Sequence, residues 1–329
     1  MKLSVCLTHY NRPHLLAASL ESLARQTRVP DEVLLWDDNS PNDPTDVARA
    51  YSTRFPKLIY HRNERNLGMP GNLNAVLSRA SGDLIANLHD ADEFHPTLLQ
   101  KWEEALVSHP NAGMVFCGLD AAGKSDGAGA VWIHPCAECT EGRDFFHRHF
   151  VGTVGSVIWG TVMVRREVYE RHLPFDPQFR NWADVDMWMR VCSTHDIAYV
   201  PEALITLDHS PTPVRAFSWE KFLITHRTHA LNIHRLARDA GELNDWLGRQ
   251  RRFTRMFYAR HLVSRIARGE GKSVREGMRT ARDAWVRMFE RDWQLPPSGP
   301  VRFVRPVHRV AAGAGQKPEA GPEPFGSCP

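Results

Sequence analysis

Apolar residues fall in short runs through the first 120 positions and recur at helical spacing between those runs. Residues 3–7, 32–36, 58–61, 84–88 and 113–117 are apolar stretches of strand length. Pro13 stands in the first turn of a helix whose Leu15, Leu16, Ser19, Leu20 and Leu23 follow helical spacing. Pro44 opens a second helix to about residue 55, residues 72–80 form a third ended by Ser81-Gly82, and Pro96 starts a fourth to about residue 109. Short strands alternating with helices predict βαβ units, hence an α/β fold with a mostly parallel sheet. Open sheets of this kind bind ligands beyond the carboxyl ends of their strands. The segments found there are the most polar of this half: Thr8-His9-Tyr10-Asn11-Arg12, Asp37-Asp38-Asn39-Ser40 and His89-Asp90-Ala91-Asp92-Glu93.

Residues 121–160 are less regular, and Gly123, Gly127 and Gly129 mark an expected mobile loop. A helix over 184–195 and a strand over 197–208 follow. From about residue 216 the pattern becomes long, basic and helical, over 219–240, 243–268 and 273–290. The last ~15 residues bury too little apolar surface to offset ordering and are expected to be disordered. These boundaries divide the chain into residues 1–212, with halves at 1–120 and 121–212, a helical extension at 213–295 and a Pro/Gly-rich tail at 296–329.

Composition adds constraints. Apolar content of 42% and charged content of 24% over 329 residues are ordinary for a globular protein. No apolar run reaches membrane-spanning length, and the apolar N-terminus turns polar too early for a signal peptide. Cys6, Cys117 and Cys192 lie in apolar stretches, and Cys136 and Cys139 form a lone CxxC without a second pair for zinc. A reducing compartment fits, and a cytoplasmic location is expected. Charge is uneven: residues 246–309 hold 16 Lys and Arg against 5 Asp and Glu, a balance of +11, which leaves −8 on the rest of a chain of net +3. The C-terminal part is therefore expected to face something anionic.

Three constellations carry candidate chemistry. Asp90-Ala91-Asp92 follows an apolar strand, so two carboxylates could converge on Mg²⁺ or Mn²⁺, which typically takes one or two carboxylates plus substrate phosphates. Taken alone, those residues read more simply as a solvated acidic turn or a helix N-cap. Asp38 could accept from a base ring or hold a ribose hydroxyl, or simply build a turn. Asp184 and Asp186 begin a helix, where they either cap it or supply a general base.

Together these segments resemble the family 2 inverting glycosyltransferases. The likeness rests on residues 8–12 and 37–40, Asn66-Leu67-Gly68 with Asn74-Ala75, Gly82-Asp83, residues 90–93 followed by Pro96, and residues 184–190, in the family's order and spacing over about residues 1–210. It implies the GT-A fold, a mostly parallel Rossmann-like nucleotide-binding sheet with helices on both faces, here with a C-terminal α-helical extension. By this resemblance Thr8, Tyr10, Arg12, Asn66 and Asn74 line the nucleotide-sugar pocket, and Asp38 holds uracil. Asp90 lies near ribose and metal, Asp92 is the metal ligand, and Asp184 is the catalytic base. His209 falls near metal or diphosphate, while Ser156, Trp159, Trp182 and Asp186 fall on the acceptor side. Two positions depart from the family's pattern: Ala183 replaces a frequent Glu, and Leu73 a frequent Arg.

The implied reaction is single displacement of a sugar from a nucleotide donor, a UDP-sugar by this likeness, with Mn²⁺ or Mg²⁺ at the leaving diphosphate. The acceptor is a small-molecule, lipid-linked or carrier-bound hydroxyl, in glycan, glycolipid or specialised-metabolite synthesis. A nucleotidyltransferase would carry a Gly-rich, Lys/Arg-bearing loop after its first strand, which residues 8–12 do not. A non-catalytic nucleotide-sugar-binding protein would not need Asp38, Asp90, Asp92 and Asp184 together. The basic extension is read as a solvated surface packing through Phe253, Phe257, Leu262 and Ile266, as a peripheral contact at the inner face of the membrane, or as a site for an acidic partner. No nucleic-acid-reading module is present in the sequence.

Overall fold

The structure is a computed structural model, and it describes residues 1–120, 131–153, 156–158, 160–207, 218–285 and 287–293. The first strands are β1 (Leu3–His9), β2 (Glu32–Asp37), β3 (Leu58–Arg62), β4 (Leu84–His89) and β5 (Glu93–Phe94). The remaining strands are β6 (Ala112–Asp120), β7 (Val131–Trp132), β8 (Cys139–Thr140), β9 (Val162–Arg165) and β10 (Asp196–Thr206). Among the described residues these strands make one sheet in the order β3-β2-β1-β4-β9-β6-β10-β5, with β7 on β6 and β8 on β10. Strands β3, β2, β1 and β4 run parallel, as do β6 and β10. Between these groups lies β9, antiparallel to both β4 and β6. Its four residues are too few to show a period, and the sequence does not announce it.

The helices of the first half are α1 (Pro13–Ala24), α2 (Thr45–Ala50), α3 (Gly68–Leu77), α4 (Leu98–Ser108) and α5 (Gly142–Phe150). They are followed by α6 (Arg166–His172), α7 (Ala183–Val191), α8 (Trp219–Leu236), α9 (Ala240–Ala267) and α10 (Gly271–Ala284). Helix α2 is shorter than the pattern suggests, since Ser52 Oγ donates to the Arg49 carbonyl and turns the chain. Helix α7 likewise ends early, where Ser193 and Thr194 hydroxyls donate to the carbonyls of Arg190 and Val191.

Alternation along each strand feeds two apolar layers. Leu3, Val5 and Leu7 with Val33, Leu35 and Leu88 face Leu16, Leu20 and Leu23 of α1 and Leu98, Trp102 and Leu106 of α4. Cys6, Leu34, Trp36 and Ile85 face the opposite layer, where Val76, Phe145, Phe150, Trp188 and Phe222 are buried. Burial raises the Cys6 and Cys192 thiols far above their ordinary value, so they behave as core residues.

Asp186 fastens the C-terminal helices to this second layer. Its carboxylate is completely buried and accepts from Arg190 Nε at 2.9 Å, Asn232 Nδ2 at 2.8 Å and Arg235 Nη1 at 2.9 Å. Arg143 of α5 adds a second fastening, donating to both oxygens of Glu242 at 2.7 Å. Replacing Asp186 by Ala would leave two guanidinium groups unpaired, each partly open to water. Asp186→Ala is expected to cost about 3 kcal/mol of stability, read from the shift of the urea unfolding midpoint.

Candidate active site

The carboxyl ends of β1, β2 and β4 stand side by side, with Thr8 in register with Trp36 on one flank and His89 on the other. Beyond them the chain must turn sharply. Asn11 (φ 57°) and Asn39 (φ 59°) take the left-handed conformation that asparagine tolerates best after glycine. The turns lock together: the Asn11 amide donates to Ser40 Oγ at 2.7 Å, and Ser40 in turn is held by Asp37.

Asp38 is buried and accepts from the amides of Leu67 at 2.7 Å and Gly68 at 2.9 Å, and from Asn63 Nδ2 at 3.0 Å. It thereby pins the N-terminus of α3, which Gly68 enters at φ +74°, a backbone angle that favours glycine. Burial raises the Asp38 carboxyl above its ordinary value and nearby Asp37 adds to it, while the three donors pull the other way. Asn66 closes this turn by donating to the Asp38 carbonyl at 3.1 Å.

Asp90 turns back toward β1. Its Oδ2 is 2.6 Å from His9 Nδ1 and accepts from the Tyr10 amide at 3.3 Å, and its Oδ1 takes the Arg12 guanidinium. The carboxylate is fully buried, and both oxygens are already engaged. This corrects its expected place beside a metal, because the interior demands pairing of a buried charge and His9 and Arg12 supply it. Thr8, Tyr10 and Arg12 are each partly open and line the same mouth.

Asp92, His89, Gly160 and Asp184 form the centre of the cleft. Asp92 Oδ2 lies 3.6 Å from His89 Nδ1 and is a buried oxygen without a hydrogen-bond partner among the described residues. Asn87 Nδ2 donates to the Gly160 carbonyl at 2.6 Å, which presses residue 160 against the histidine. A Cβ at Gly160 would lie 2.5 Å from His89 Nε2 and 3.4 Å from Asp184 Oδ2. Asp184 enters from the first turn of α7, where its Oδ1 accepts the Val185 amide at 2.7 Å. Burial raises Asp184 to about 6, against the opposing pulls of that amide and of His89. Burial alone would lower His89, but the carboxylates of Asp92, Asp184 and Asp90 outweigh it and hold the ring above its ordinary value.

Not every expected residue joins this centre. Asn74 is bolted to the Phe175 backbone, donating to its carbonyl at 2.9 Å and accepting from its amide at 2.8 Å. Asp186 is corrected from the acceptor side to the buried anchor under α8, because a charge one helical step beyond the cleft rim meets two arginines instead of water. Ser156 is half-buried and accepts the Ile158 amide at 2.9 Å, and Trp182 packs on the core at the head of α7. Trp159 and His209 lie outside the described residues. His89 was not singled out from the sequence. Its signal was its place as the last strand residue before Asp90, and only Asp184, nearly a hundred residues away in the chain, gives it meaning.

The described residues hold no cluster of three His, Cys, Asp or Glu side chains able to carry a metal ion by themselves. Asp92, with its orphaned oxygen, fits a divalent ion completed by phosphates, the arrangement Mg²⁺ favours. Asp90 does not fit, for the reason given above.

Several known proteins resemble this chain in sequence or in fold. EpsE of Bacillus subtilis is 28% identical over 197 residues, covering 57% of this chain and 66% of that one. RfbC of Myxococcus xanthus, an O-antigen biosynthesis protein, is 31% identical over 206 residues, covering 58% of this chain and 16% of RfbC. The match thus spans less than two thirds of either relative's length. Among solved structures, S. aureus TarS in complex with UDP-GlcNAc superposes with a TM-score of 0.62 at 18% identity, over 78% of this chain and 74% of TarS, which establishes a shared GT-A fold. The family profile described as Glycosyl transferase family 2 matches residues 4–173, more than half of the sequence. A profile match over more than half of the chain, running through β1, β2 and β4 and the turns that carry Asp38, Asp90 and Asp92, makes this chain a member of glycosyltransferase family 2.

Proposed function

We propose that the chain transfers a sugar from a UDP-sugar to an acceptor hydroxyl with inversion at the anomeric carbon, using Asp184 as general base. The observation that carries this reading is the placement of Asp184, raised to about 6, across Gly160 from His89, whose ring lies 3.6 Å from Asp92. A carboxylate near neutrality accepts a proton well while remaining ionised at physiological pH. TarS, which shares the fold, was solved with UDP and with UDP-GlcNAc, and this supports a uridine donor here. The name of RfbC, an O-antigen biosynthesis protein, supports an acceptor in glycan synthesis. Residues 1–212 form the catalytic part in this reading, and 213–295 the helical extension.

Asp184 takes the proton of the acceptor hydroxyl as its oxygen attacks the anomeric carbon. The carbon–oxygen bond to the diphosphate breaks on the opposite face, and UDP leaves with the bonding pair. Thr8, Tyr10 and Arg12 flank the donor, with Arg12 near enough to the β4 end to meet phosphate while holding Asp90. Asp38 Oδ2 accepts only from Gly68 among the described residues, which leaves an acceptor position for a uracil N–H. A Mn²⁺ or Mg²⁺ ion bound by Asp92 and the donor phosphates would supply positive charge to the leaving diphosphate. The bolted positions of Asn74 and Asp186 keep α3 and α7 at fixed distances from this centre.

Asp184→Asn is expected to lower kcat about 10²–10⁴-fold while calorimetric donor affinity stays near that of the parent. Near-parental turnover by this variant would remove Asp184 from the mechanism. Base catalysis requires the ionised carboxylate, so kcat/KM is expected to rise with pH and level off above about 6. The stability contribution has the opposite sign. The folded state holds this proton more tightly than the ordinary 3.8, so stability falls as pH climbs from that value toward about 6. The donor is tested by nucleotide release from UDP-, GDP- and dTDP-sugars with Mn²⁺ or Mg²⁺. Hydrolysis of UDP-sugars alone, lost on adding EDTA and restored by excess metal, is the expected result, and metal-indifferent release would exclude the ion.

A further inference from the structure

Helix α9 has an inner face that is fully employed. Trp246, Leu247, Gln250 and Thr254 are buried, and Phe257 and Leu262 pack on the core. Its outer face between residues 249 and 268 is a stripe of arginine and aliphatic side chains. Arg249, Arg251, Arg252, Arg255, Arg260 and Arg268 are exposed there, and no acidic residue is. Arg249, Arg252, Met256, Arg260 and Val263 succeed one another by three or four positions, so they share one side of the helix. Met256 and Val263 are each 64% exposed and Ile266 is 56% exposed. Arg252, Arg255, Arg260 and Arg268 make no ion pair with any described residue.

A face that only needed solubility would not set large aliphatic side chains between unpaired arginines. We infer that the outer face of α9 docks on a bilayer rich in anionic phospholipid. Arginines meet the lipid phosphates, their alkyl stems lie along the surface, and Met256, Val263 and Ile266 enter the headgroup boundary. Each basic residue within reach of such a surface strengthens adsorption about fivefold. Helix α10 follows directly and exposes Lys272, Arg275, Arg279 and Met278 together with Glu276, a set that is net basic. Nucleic acid fits this face less well, since single strands are held by stacking on aromatic rings and the exposed positions from 249 to 268 include none.

The adsorbed helix would not be a loose tether. Gln250 accepts from the Gly152 amide at 2.9 Å and donates to the Thr153 carbonyl at 3.0 Å, tying α9 to the segment that leads to Ser156. Docking α9 thus also fixes the position of Gly152 and Thr153 relative to the membrane. Adsorption itself does not depend on the transfer reaction proposed above.

The test is co-sedimentation of the full chain with vesicles of phosphatidylcholine alone or mixed with phosphatidylglycerol. Binding is expected only with phosphatidylglycerol, weakening as salt shortens the screening length. The triple variant R252E/R255E/R260E is expected to lose at least about 10²-fold in vesicle affinity. M256D/V263D is expected to lose the binding that survives at high salt. Both variants should keep the parent's circular dichroism and soluble donor hydrolysis, because none of these residues lies in the cleft. Undiminished vesicle binding by the triple variant would overturn the inference. So would tighter capture by polyglutamate or duplex DNA than by the vesicles at equal salt. A dimer that M256D/V263D dissociates, with no vesicle binding by the parent, would assign the face to a second copy instead.

Discussion

A carboxylate removed from water must be paired, hydrogen-bonded or protonated, and the cleft is laid out by how each aspartate meets that demand. Asp37 is satisfied by Ser40 and by Arg62, whose Nη1 lies 3.7 Å away. Asp38 is satisfied by the amides at the start of α3, Asp90 by His9 and Arg12, and Asp186 by two arginines and Asn232. These four build the walls. Asp92 keeps one buried oxygen without a hydrogen-bond partner among the described residues, and Asp184 answers burial by holding its proton to about 6. The two least satisfied carboxylates are those that meet at His89. Incomplete satisfaction at one point, surrounded by complete satisfaction elsewhere, is how a stable fold carries a reactive centre.

The helices that present these groups are held from behind. Helix α3 is gripped at its start by Asp38 and in its body by Asn74 on Phe175. Helix α7 is gripped through Asp186 by α8, so the C-terminal helices brace the element that carries Asp184. The same layer leaves the arginine-rich side of α9 facing outward. The distribution of charge follows: acidic groups line the strand ends, and basic groups cover the far helices.

Gly160 illustrates how narrow the centre is. Any side chain there would strike His89, so the backbone itself forms that wall, with Asn87 holding its carbonyl. Strand β9, which begins two residues later, is wedged antiparallel between β4 and β6, and this wedge brings residue 160 to the end of β4.

Much of the architecture was legible in the chain. Runs such as Leu3–Leu7 and Leu84–Leu88 alternated with helical periods, and this dictates parallel pairing because each crossover buries a helix on the sheet. The polar segments after those runs had to lie at the carboxyl ends, so the region of the cleft followed from sequence. The strand β9 was not legible, since four residues carry no period. Nor was the division of labour among the aspartates: Asp184 and Asp186 look alike in the chain, two positions apart at one helix start. On a helix two positions differ by about 200°, so one faces the cleft and the other faces α8. Sequence by itself determined the elements, their order and the acidic character of their ends, because those rest on local periodicity. Tertiary structure alone decided which carboxylates are neutralised and which remain reactive, because desolvation and pairing depend on contacts such as Arg235 with Asp186, His9 with Asp90 and His89 with Asp184, between residues distant in the chain and adjacent only when it is folded.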